Sequence, residues 1–136
     1  MDVHVSLRSV QRIEGEQAET ELTALGTLEH LEDGVRLTYT EAPDDGGADV
    51  TVTARGAQLV IERRGEISSR MILEQDRRHL CRYDTPYGAL SLYTQAQKLL
   101  VADFENTVLL QAVYTLDMNG ACTEQEIEFR IKEVSQ

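Results

Sequence analysis

Cysteine is scarce in this chain of 136 residues: Cys81 and Cys122 stand forty-one positions apart. That spacing matches none of the paired patterns of zinc or dithiol redox sites, so the two thiols are expected reduced and partly buried. Long apolar runs are also missing. The longest aliphatic run, Leu99-Leu100-Val101-Ala102, falls far short of the ~20 apolar residues that span a bilayer as a helix. The opening Met1-Asp2-Val3-His4-Val5 has neither a basic segment nor an apolar stretch of secretory type, and a cytoplasmic location is expected. Phosphate-cradling glycine loops, nucleophile-elbow serines, paired-histidine zinc motifs and EF-hand loops do not occur, which sets those families aside. Positive charge is in short supply as well. Thirteen Lys and Arg face twenty-four Asp and Glu, a formal net charge of −11, so neither nucleic acid nor an anionic membrane is an expected partner.

The charge is uneven. Residues 55 to 82 hold seven arginines and four acids, a local +3, whereas the remainder carries −14. Alternating charged side chains on outward strand faces produce such a stretch, and so does a surface that meets an acidic partner.

Period-two alternation is what the chain does have, and it marks strands with one face in a core and the other in water. Val108, Leu110, Ala112, Tyr114, Leu116 and Met118 fall on one face, opposed by Thr107, Gln111, Thr115 and Asp117. Asn119-Gly120 then supplies a two-residue hairpin turn, and the return strand opposes Ile127, Phe129 and Ile131 to Glu126, Glu128, Arg130 and Lys132. Earlier, Ala18, Thr20, Leu22, Ala24, Gly26 and Leu28 share a face, with Gly26 placed for a bend or bulge. Asp33-Gly34 leads into Val35, Leu37 and Tyr39; the Pro43-to-Gly47 loop precedes Val50, Val52 and Ala54. Tyr93 to Glu105 fits a strand or a short helix. With no linker or repeat, residues 1–136 read as one all-β domain of about eight to ten short antiparallel strands. A meander closed into a barrel removes exposed sheet edges and is the preferred architecture; a two-sheet sandwich is the alternative.

Few residues point to chemistry. Asp44, Asp45 and Asp49 lack the alternating ligand spacing of a calcium loop and read as a solvated turn. His79 and Cys81 supply only two zinc-type ligands, with Cys122, His30 or a carboxylate far away in sequence, so neither a metal nor a cofactor is expected. The densest polar and aromatic stretch is Arg78-His79-Leu80-Cys81-Arg82-Tyr83-Asp84-Thr85-Pro86-Tyr87-Gly88. On a strand, His79, Cys81 and Tyr83 take one face and Arg78, Arg82 and Asp84 the other.

That stretch, together with Gly65-Glu66-Ile67, Ser69 and Met71, resembles the YwiB-like family of bacterial β-barrel proteins. Glu14-Gly15-Glu16, Tyr39-Thr40-Glu41 and Asn119-Gly120 follow the same order, and the resemblance runs the length of the chain. It implies a calycin-like barrel, brings no established activity, and carries over no catalytic residue.

Three functions are compatible with these residues. The first is a non-enzymatic barrel whose interior holds a small, partly apolar ligand near His79, Tyr83, Tyr87, Tyr39 and Glu41. The second is an interaction or regulatory module whose outer basic patch, Arg63, Arg64, Arg70, Arg77, Arg78 and Arg82, meets an acidic protein or a second copy of the chain. The third and least favoured is an enzyme with His79 as general base, oriented by Asp84 or Glu41.

Overall fold

The alternating segments form ten strands in the computed structural model, which describes residues 1–134. They are β1 (Asp2–Ile13), β2 (Glu16–Leu31), β3 (Gly34–Thr40), β4 (Asp49–Arg55) and β5 (Gln58–Arg64), followed by β6 (Ser68–Glu74), β7 (Arg78–Thr85), β8 (Gly88–Phe104), β9 (Thr107–Met118) and β10 (Ala121–Glu133). Each strand pairs antiparallel with its neighbours in sequence, and β1 pairs with β10 to close the barrel. Closure leaves none of these strands at a free edge, unlike an open sheet.

Two strands are longer than expected. β2 runs for 16 residues and β8 for 17. Gly26 does not end β2; it lies opposite both Val3 and Tyr39, where the strand is flanked by β1 and β3. A Cβ there would sit 2.6 Å from the Thr38 carbonyl oxygen and 3.1 Å from the Tyr39 Cβ, so glycine lets three backbones close up. Residues 93–105, open between strand and helix from sequence, belong mainly to β8. Its register with β9 shifts between Ala96 and Lys98, leaving Gln97 as an extra residue. The inward set Leu92, Thr94 and Ala96 therefore continues at Leu99, and this change of parity is what imitates a helical spacing. The Asn119-Gly120 turn joins β9 and β10 as expected, with φ of 54° and 86°.

The barrel interior is divided by depth. At one end Val3, Val5, Val35, Leu37, Val52, Leu59, Leu73, Leu110 and Ile131 are almost wholly inaccessible and pack as a solid core. Toward the other end the same inward faces change composition: Ser9 on β1, Thr20 on β2, Tyr39 on β3, Arg63 on β5, Ser69 on β6, Tyr83 on β7 and Tyr114 on β9. Antiparallel strands place these residues late on one strand and early on the next, yet all gather at the same end.

One seam in the wall is held by side chains. β6 and β7 share only three register pairs, Ser68 to Arg70 with Asp84 to Arg82. Beyond them β6 leans toward β8, where the Asp76 amide donates to the Ala96 carbonyl at 2.9 Å. Thr94 Oγ1 donates to the Ile72 carbonyl at 2.6 Å, and the Ile72 amide approaches Cys81 Sγ at 3.5 Å. Thr94 and Cys81 are both buried, so they replace ladder bonds that the splayed backbone cannot make. The outer faces carry charged rows such as Glu19 and Glu21 on β2 and Glu124, Glu128, Arg130 and Lys132 on β10, the reverse of a lipid-facing barrel surface. No helix among the described residues is long and apolar enough to cross a membrane.

Candidate functional site

The polar half of the interior holds a cavity of about 490 Å³, open at the barrel end and within the roughly 300–1,000 Å³ typical of small-molecule sites. Leu7, Leu22, Val50, Ile61, Met71, Ile127 and Phe129 form its apolar wall. Its polar groups converge near the end of β3. There Arg63 Nη2 donates to Glu41 Oε1 at 2.7 Å. The Glu41 side chain is only 2% exposed, whereas that of Arg63 is 39% exposed and reaches the open end.

The local sequence explains this placement. Glu41 follows β3 directly, and its amide donates to the Ala48 carbonyl at 2.9 Å, which ties the strand end to the far side of the loop. Between them lies a 3-10 turn, Pro43–Asp45, closed by Gly46 at φ 111°. A Cβ at Gly46 would lie 3.3 Å from Glu41 Oε1 and 3.5 Å from Arg63 Nη2. Glycine thus allows the loop to lie over the ion pair, in a left-handed conformation that other residues resist. Asp44, on the same turn, also lines the cavity.

Three tyrosines add directional groups. Burial pushes the Tyr39 phenol far above its usual range; the Glu41 carboxylate adds to this and Arg63 opposes it. Burial likewise raises Tyr114, with Tyr83 contributing. Tyr83 is raised by burial and by Cys81, against which Arg63 and a hydrogen bond with its register partner Ser69 act. All three are neutral phenols at physiological pH, able to donate to a guest. No described buried side-chain polar atom lacks a partner.

Of the residues singled out from sequence for a ligand, the structure brings Tyr39, Glu41 and Tyr83 together around the cavity. His79 and Tyr87 do not join them. His79 Nε2 lies 2.9 Å from Glu74 Oε1 at the β6–β7 seam. Tyr87 is fully exposed at the tip of the β7–β8 turn, where its amide donates to Thr85 Oγ1 at 3.2 Å. The arrangement considered for His79 as a general base is not assembled either. Asp84 bonds Arg82 at 2.8 Å and Glu41 bonds Arg63, so neither carboxylate is the histidine's partner.

The basic patch needs one correction. Arg63 faces inward, because it continues the buried parity of Leu59 and Ile61 along β5. The other five arginines are on the outside, and four of them sit beside acids: Arg70 with Glu62 at 4.0 Å, Arg77 with Glu74 at 3.7 Å, Arg78 with Asp117 at 3.4 Å, and Arg82 with Asp84. Arg64 is exposed at the end of β5. Tyr114, Ser69, Met71 and Phe129 were not nominated from sequence, although alternation alone puts Tyr114 on the Val108–Leu110 face. Among the described residues no three His, Cys, Asp or Glu side chains gather as a metal site.

A fold comparison gives independent support for the closed barrel. The crystal structure of the ywiB protein from Bacillus subtilis superimposes with a TM-score of 0.88 at 16% identity, covering 98% of this chain and 92% of that one. A search of curated proteins returns no match. The sequence profile described as "Domain of unknown function (DUF1934)" matches residues 5–131, nearly the whole barrel, and the chain therefore belongs to that family.

Proposed function

We propose that the protein binds a small, partly apolar molecule inside the barrel. The observation that carries this reading is the 490 Å³ cavity, lined about equally by apolar and polar side chains, in a barrel whose other end is filled by buried aliphatic side chains. A barrel that needed only stability would be expected to continue aliphatic packing to both ends, because empty volume costs dispersion contacts. The inward polar side chains instead collect at one end and leave space between them.

Native mass spectrometry of protein purified gently from its producing cells, beside the denatured mass, tests the reading. A reproducible additional mass that is lost on denaturation, and absent from Ser69→Phe, supports it. A bare native mass from several expression hosts, unchanged by that substitution, overturns it.

A second reading concerns the outer wall of β6–β8. Arg70 and Arg82 stand directly opposite each other, a like-charge pair that Glu62 and Asp84 offset from the sides and that an acidic protein partner would offset further. Beside them Leu80 and Tyr93 are paired and exposed, with the Arg78 guanidinium 3.9 Å from the Tyr93 ring centroid. Aromatic and arginine side chains of this kind are enriched at interface hot spots. If Arg70→Glu with Arg82→Glu leaves every association of the protein and its salt sensitivity unchanged, this second reading falls.

A further inference from the structure

We infer that the cavity selects a neutral amphiphile with a hydrogen-bond-accepting head, such as an amide, ester or ketone, over the corresponding carboxylate. This rests on the binding reading above and goes further by naming the ligand class. Arg63 is the one cation among the described residues lining the cavity, and its charge is already matched. Glu41 is fixed beside it, shielded by the loop at Gly46, so a guest cannot displace that carboxylate without moving the loop.

What remains free is a set of donors without net positive charge. A guanidinium has five N–H groups, and a single hydrogen bond, to Glu41, engages Arg63 among the described residues. The Tyr39, Tyr83 and Tyr114 phenols add donors along the same wall. A carbonyl oxygen uses these donors and leaves no charge uncompensated. A carboxylate would be a second anion sharing one guanidinium with Glu41, with Asp44 at the same mouth. Desolvating such an ion without a counter-charge is unfavourable, more so in a closed site than at a partly open one. An expected discrimination of about tenfold or more follows.

Isothermal titration calorimetry of the full chain at pH 8 with decanamide and with decanoate tests the inference. The wild type is expected to bind decanamide at least about tenfold more tightly. Glu41→Gln leaves the Arg63 charge unmatched and is expected to reverse the preference. Equal or tighter binding of decanoate by the wild type overturns the ligand class and leaves the binding reading standing. Failure of both probes counts against both. If Glu41→Gln does not fold, the wild-type ratio decides alone.

Discussion

Thr94→Val isolates the contribution of the side chains that hold the β6–β7 seam. Thr94 is 1% exposed, and its hydroxyl gives the Ile72 carbonyl a 2.6 Å hydrogen bond where β7 has moved out of ladder distance. Valine preserves the branched shape and is favoured in strands, so the substitution removes the donor with little change in packing. A buried carbonyl left without a partner costs about 1–3 kcal/mol. Taking ~2 kcal/mol and a urea m-value of about 2 kcal/mol/M, the unfolding midpoint is expected to fall by about 1 M. Thr94→Ser keeps the hydroxyl and loses one methyl, with an expected cost of about 1 kcal/mol. Equilibrium urea denaturation followed by circular dichroism reads both variants. If Thr94→Val were as stable as the wild type while Thr94→Ser was clearly weaker, the hydroxyl would not be holding the seam.

Other substitutions test the site itself. Arg63→Met leaves the Glu41 carboxylate buried without its counter-charge, at an expected cost near the lower end of about 3–5 kcal/mol because Arg63 is partly exposed. Gly46→Ala forces a side chain into a left-handed conformation against the ion pair and should cost about 1–2 kcal/mol by urea unfolding. Tyr39, Tyr83 and Tyr114 have folded pKa values raised by burial, so the folded state holds their protons after the unfolded chain has begun to release them. Stability should therefore decline as pH rises above about 10, with tyrosinate absorbance at these positions appearing together with unfolding. Glu74 is held below the usual carboxyl range, first by Gln58 and then by His79 and Arg77. Its contribution is present above that range and is lost in acid, as the pH falls through its lowered folded pKa; Glu74→Gln should flatten the acid limb of a stability-against-pH curve.

Sequence alone determined most of the strands, their facing outside residues 93–105 and Arg63, and the preference for a closed meander, because a period of two is a local property of the chain and exposed edges are costly. The inward facing of Tyr114 follows from the parity of Val108 and Leu110; the parity of Leu59 and Ile61 points Arg63 inward too, although its charge and its neighbours group it with the outer arginines. The tertiary structure decided the rest. The extra residue Gln97 in β8, the splaying of β6 from β7 that ties His79 to Glu74, and the gathering of Glu41, Arg63 and three tyrosines at one end all depend on register and closure. These are relations between strands distant in sequence, and alternation along one strand reports which face a side chain takes without reporting how deep in the barrel it lies or what it meets there.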